Sequence, residues 1–172
     1  MRNERGVTLV EMVVVLGVAL GLAAVTVAYS MPWMVKESVR SAVFDVNGIM
    51  QLARVEAVSR NQPTRFVIDT AAAEAQVWDS RGTTSTSDDL LLHRRRLPTH
   101  VIFARPDVGS AVTLDVIAAA RYQAVFTPDG MLSSGGGDIY LHGGEAFGKV
   151  TVYAAGGIEI FHWKGTEWAS GF

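Results

Sequence analysis

The chain divides by its pattern of apolar and polar positions. From Met12 to Met31 no residue carries a charge. Counted from Val7, the apolar run reaches the roughly 20 helical residues that cross a bilayer core. Further on the apolar positions thin to a stripe: Val35, Val39, Val43, Val46, Met50, Ala53 and Ala57 recur at alternating four- and three-residue steps. That spacing is one face of a helix. Lys36, Glu37, Arg40, Asp45, Gln51, Arg54 and Arg60 lie off it. Pro32 should kink or locally melt the helix between these halves, because it lacks an N–H and crowds the preceding turn. Asn61 and Pro63 should end it.

Beyond Pro63 the period shortens toward two. Arg65–Asp69 and Ala75–Asp79 read as a strand pair, and Arg81–Asp89 as a polar loop. Leu97–Ala104, Ala111–Ile117, Gln123–Phe126, Asp138–Leu141 and Gly148–Tyr153 are further strands. Thr127-Pro128-Asp129-Gly130 is a turn with proline preset and glycine free for positive φ. Ala155-Gly156-Gly157 turns the chain into Ile158–His162 as a closing hairpin. One long helix followed by many short strands predicts an α+β fold: a helix with a membrane half and an amphipathic half, packed on an antiparallel sheet.

Composition sharpens the picture. The chain has 172 residues, enough for one domain and an anchor, and its net charge of -2 offers no global basic field for nucleic acid. There is no cysteine, which excludes disulfides, thiolate metal sites and cysteine nucleophiles. Arg2 and Arg5 place the N-terminal flank in the cytoplasm and the rest of the chain outside, with Tyr29 and Trp33 where an aromatic belt would lie. Gly17 and Gly21 form a small-xxx-small pair suited to close helix approach. A cleaved secretory signal ending near Ala28-Tyr29-Ser30, or a plain anchor for a binding domain, are the alternatives. Against the signal, the run exceeds the usual 7–15 residues. It also holds Glu11, an acid of a kind that costs roughly 2.5–3.5 kcal/mol at a membrane helix centre.

Chemistry is sparse. His93, His100, His142 and His162 form no i,i+4 metal pair, and no nucleophile or metalloprotease motif is present. Neither an enzyme nor a cofactor is expected. Ser133–Asp138 lacks the lysine and following helix of a phosphate loop. His93-Arg94-Arg95-Arg96 is the one dense basic run. Arg94, Arg95 and Arg96 are candidates for contact with a partner subunit or with nucleic acid phosphates.

Arg5-Gly6-Val7-Thr8-Leu9-Val10-Glu11 resembles a type IV prepilin cleavage motif. The resemblance implies that a prepilin peptidase cuts after Gly6 and methylates the new N-terminus, Val7, where the family usually has Phe. Glu11 then becomes the fifth mature residue, satisfied by an amine of a neighbouring subunit and setting the axial register of stacked helices. Three further stretches are similar to the GspH/FimT family: Met50 to Pro63 at the helix end, Phe126–Gly130 at the mid-domain turn, and Phe147 to Gly157 at the closing hairpin. Lys164 to Phe172 matches no known pattern. The family implies a leader over 1–6, a transmembrane or filament-core helix over 7–31, an amphipathic helix over 32–63 and a β-rich head over 64–172. It implies a non-enzymatic minor pseudopilin of type II secretion that helps initiate the pseudopilus and links subunits at its tip. A minor pilin of a type IV pilus, in assembly or DNA uptake, is the alternative. The implied partners are other pilins or pseudopilins, the prepilin peptidase, the inner-membrane assembly platform and lipid, with the head in the periplasm. Relatives that bind DNA carry arginines in the closing hairpin. Here that region has Lys149 and Lys164 with Glu159 and Glu167, so nucleic acid is not expected as a partner.

Overall fold

The computed structural model describes residues 8–82 and 88–172. Gly6 and Val7, and most of the polar loop before Asp89, lie outside them. The chain separates into two compact units that divide between Met34 and Val35.

Helix α1 spans Leu9–Arg60. It starts on a cap: the Thr8 hydroxyl accepts the amide of Glu11 at 3.2 Å, satisfying one of the four first-turn N–H groups that have no helical partner. It is unbroken at Pro32, which corrects the local melting expected there. Proline removes one donor, and the helix continues through the loss of that single bond. At the other end Asn61 adopts φ 52°, a left-handed conformation that asparagine tolerates. The amide of Gln62 then bonds Ala57 O at 3.2 Å and that of Asn61 bonds Val58 O at 3.3 Å. This double closure satisfies two of the last four carbonyls, and Pro63 follows.

In the second unit the helix lays its predicted stripe on two sheets. Val39, Val43, Val46, Met50, Ala53 and Ala57 are fully buried, together with Ala42. The first sheet has the order β3-β2-β1-β5-β4, from β1 (Thr64–Asp69), β2 (Glu74–Asp79), β3 (Leu90–Arg96), β4 (Asp115–Ala118) and β5 (Arg121–Phe126). The second runs β6 (Gly137–Gly143), β7 (Ala146–Val152), β8 (Ile158–Trp163) and β9 (Trp168–Ser170) in sequence order. All pairings are antiparallel. Phe66, Ile68, Val77 and Phe126 from one sheet and Ile139, Leu141, Val150 and Val152 from the other complete one core with the helix. Each such side chain contributes roughly 1.5–3 kcal/mol by leaving water. Gly148 lets β7 approach the helix: a Cβ there would overlap Val43 Cγ2.

The α+β architecture therefore stands; two strand expectations are corrected and two further strands are found. Leu97–Ala104 is not a strand; only Ile102 makes a bridge, to His142. Pro98 and Pro106 bracket the segment and cannot donate to a ladder, so Leu97 and Val101 are buried as loop anchors instead. Ala111–Ile117 is divided: Val112 bridges Ile139 of the second sheet, whereas Asp115 onward pairs with β5 of the first. The basic run forms part of β3, and the C-terminal stretch contains β9. Both are outermost strands whose local pattern does not alternate.

Candidate functional site

Among the described residues the apolar half of α1 is exposed along its length. Its most hydrophobic 18-residue window has a mean hydropathy of 2.4 and none of it is buried. Leu9, Leu16, Leu20 and Tyr29 are all more than half exposed. Such a surface must be covered by lipid or by other apolar helices. Glu11 sits in the first turn, where the helix dipole favours an acid. Thr8-Leu9-Val10-Glu11 also has the spacing of a capping box, with glutamate three residues after the cap. That spacing is a local sequence signal for the start of the helix.

The basic run is dispersed by its strand. Side chains alternate across β3. Arg95 Nη2 lies 3.0 Å from Asp45 Oδ1 of the helix, while Arg94 Nε reaches Glu74 Oε2 on β2 at 3.2 Å. His93 Nε2 stands 3.6 Å from Glu56 Oε1. Among the described residues Arg96 alone of the run makes no ion pair. Arg94, Arg95 and Arg96 are thus not gathered into one cationic face, and acids of the same chain meet two of them. Charge along an outer strand also deters pairing with a foreign strand.

The family-like turn and hairpin come together. In the turn the Gly130 amide bonds Thr127 O at 2.8 Å and the Thr127 amide bonds Met131 O at 2.9 Å. The Thr127 hydroxyl donates to the Asp129 carboxylate. This bond, with the Met131 N–H, holds that carboxyl below its usual range. In the hairpin Gly156 has φ 80°, and a Cβ on it would overlap Gly130 O. The Leu132 amide bonds Ala154 O at 2.9 Å, so the two segments are joined directly. Arg54 and Val58 of α1 lie against Gly130. These residues form a latch between helix and sheets, and offer no reactive group.

The outer face of the second sheet is a stack of cations and rings. Lys149 Nζ stands 4.4 Å from the Phe161 ring centre and 5.3 Å from that of Trp168. The Arg105 guanidinium covers Tyr140 at 4.5 Å. Tyr140 Oη donates to Asp138 Oδ2 at 3.0 Å. Burial, with the Asp138 charge and this bond, pushes the Tyr140 phenol up to about 12. Among the described residues no three His, Cys, Asp or Glu side chains converge to hold a metal ion.

The family model of GspH, the type II transport protein, matches residues 42–156. The chain belongs to the GspH family. The match begins at Ala42 on the buried stripe and ends at Gly156 in the latch, so it covers the segments that build the core of the head. The fold is that of a pilin: the chain is similar to the type IV minor pilin FimU of Pseudomonas aeruginosa PAO1 in two crystal forms. In one the TM-score is 0.55 at 14% identity, covering 77% of this chain and 93% of FimU. In the other it is 0.52 at 15% identity, covering 76% and 96%. No curated protein matches this GspH-family chain.

Proposed function

We propose that this GspH-family chain is a minor pseudopilin of a type II secretion system, a non-enzymatic subunit that helps initiate the pseudopilus and links subunits near its tip. The observation that carries the reading is the apolar half of α1, long enough to span a membrane and wholly unburied, in a chain whose remaining fold is that of a pilin. A helix of this kind is satisfied twice: by lipid before assembly, and by neighbouring pilin-type helices in a filament. The boundaries proposed are a leader over 1–6, a membrane and filament-core helix over 7–31, an amphipathic helix over 32–63 and a head over 64–172. The prepilin peptidase would cut after Gly6 and methylate Val7. The subunit would stand in the bacterial inner membrane with its head in the periplasm, and engage the assembly platform and other pseudopilins.

Glu11 has a stated role in this reading. It costs roughly 2.5–3.5 kcal/mol in lipid when unpaired. The cost falls when stacking brings a neighbour's N-terminal amine to it, so correct axial offset is favoured over others. Glu11→Val should therefore insert in the membrane at least as well as wild type and fail to assemble. Likeness of fold to a type IV minor pilin supports a second reading, a role in pilus assembly. Deletion of the chain in its host decides between the two. Lost export of secreted proteins with pili intact supports the first reading. Lost pili with export intact supports the second. Normal assembly with Glu11→Val removes the register role from both.

A further inference from the structure

Each sheet has two outer strands, and the open edge of a strand is a template for foreign backbone unless it is guarded. Among the described residues three of these edges are guarded. β3 carries His93, Arg94, Arg95 and Arg96. β6 is covered by bridges from Ile102 to His142 and from Val112 to Ile139. β9 is only three residues long. β4 differs. Asp115–Ala118 holds neither lysine nor proline, and among the described residues its backbone bonds only to β5. Its one irregularity is a register shift at Ile117, between Val116 and Ala118. Val116 is 71% exposed, a large apolar side chain left to water beside open backbone.

The register fixes what fits. Asp115 lies opposite Gln123, and Ala118 opposite Arg121. Gln123 and Arg121 are two apart on β5, so Asp115 and Arg121 share one face of the sheet, and Val116 faces the other way. A strand added outside β4 puts one residue directly across from Asp115. Another, opposite Ala118, stands two strand spacings, about 9.6 Å, from Arg121, a gap that a glutamate and an arginine side chain bridge together. Arg121 is 41% exposed and meets its own acid, Asp69, only loosely, Nε to Oδ2 at 3.9 Å. It borders a cavity of about 170 Å³ lined also by Arg65, Val67, Trp78, Asp89 and Ile117, two cations against one acid. The Arg121 end of β4 thus favours an acid and the Asp115 end a base, with an apolar residue between them against Val116. Only a peptide also supplies backbone donors and acceptors for the open edge. The pairings of the first sheet are all antiparallel, the slightly more stable arrangement, and in that direction the acid comes first. We propose that β4 takes up an extended segment of a partner protein as a sixth strand of the first sheet, read in the order acid, apolar, base.

The test uses the full chain in a zwitterionic detergent at low salt, isotopically labelled in valine, isoleucine and alanine, and titrated with the peptide acetyl-Thr-Glu-Val-Lys-Thr-amide. The amide resonances of Val116, Ile117 and Ala118 should shift saturably, with a Kd on the order of millimolar for so short a segment. The peptide of reversed charge order, acetyl-Thr-Lys-Val-Glu-Thr-amide, has the same composition and should bind about fivefold more weakly, because it sets like charges at both ends. Arg121→Gln, at a half-exposed position, should shrink that preference to about twofold. Two further peptides are N-methylated, one at the valine and one at both the glutamate and the lysine, so that each has one edge blocked. The one whose blocked edge faces β4 should bind about tenfold more weakly than the other. Absence of saturable shifts at β4 overturns the proposal. Equal binding of the two methylated peptides would show a contact without a ladder, and equal binding of the two charge orders would show that Asp115 and Arg121 do not read the segment; either result overturns it as well.

Discussion

Two adjacent glycines provide a sharp test of the latch. Gly156 and Gly157 are consecutive in the closing hairpin, and local sequence gives no reason to treat them differently. The structure does. At Gly156 the backbone is left-handed, with φ 80°, and a Cβ would overlap Gly130 O and stand 3.0 Å from Gly130 C. At Gly157 φ is ordinary, and the nearest atom to a Cβ is Tyr153 Cδ2 at 3.7 Å, a normal contact. For Gly156→Ala the left-handed conformation costs roughly 1–2 kcal/mol. Moving a backbone turn anchored by the Thr127–Asp129 bond and by Arg54 adds roughly 1–3 kcal/mol, as overpacking does elsewhere. Alanine's smaller unfolded-state entropy returns roughly 0.4–1 kcal/mol. The net destabilisation is about 2–4 kcal/mol, a large share of the roughly 5–15 kcal/mol that holds a typical domain. Gly157→Ala has only the entropy gain and should be neutral or slightly stabilising. The measurement is urea denaturation of the detergent-solubilised chain followed by tryptophan fluorescence, with thermal melts alongside. Gly156→Ala should lower Tm by about 5–15 °C and Gly157→Ala by essentially nothing. Equal midpoints for the two variants would refute the close approach of hairpin and turn.

Tyr140 should report on alkaline stability. A phenol held up to about 12 keeps its proton more tightly in the folded chain, so its stabilisation is complete below the usual phenol range near 10 and disappears as pH rises through about 12. About 2–3 kcal/mol should be lost over that window, and Tyr140→Phe should remove that loss from urea midpoints taken at stepped pH. Mass spectrometry of the chain from a host with its prepilin peptidase should show a mature start at methylated Val7, with bulky replacements of Gly6 leaving the leader attached; a start after Ser30 would establish an ordinary cleaved signal. Double-stranded DNA should bind negligibly near physiological salt. Measurable affinity with a steep salt slope, flattened by replacing Arg94, Arg95 and Arg96, would show that the acids beside them do not neutralise the run.

The sequence by itself determined the features whose cause is local. Charge-free composition marks the apolar half of α1, and the four-and-three spacing from Val39 to Ala57 marks the buried stripe. Asn61 and Pro63 mark the end of the helix, and alternation marks β1, β2, β5 and the β7–β8 hairpin. Each of these patterns records one buried face of one element, so it survives without knowledge of the rest. The tertiary structure decided what depends on partners distant in the chain. The outermost strands β3 and β9 bury too little on either side to alternate, and they exist because β2 and β8 pair with them. The segment from Leu97 to Ala118 is shared between two sheets, which no periodicity could announce. Asp45 and Glu74 become the partners of Arg95 and Arg94 only when helix and strands pack. Gly156 differs from Gly157 because the chain returns Gly130 to it, and Asp89 meets Arg65 only when the first sheet forms. Packing, not local preference, sets those distances.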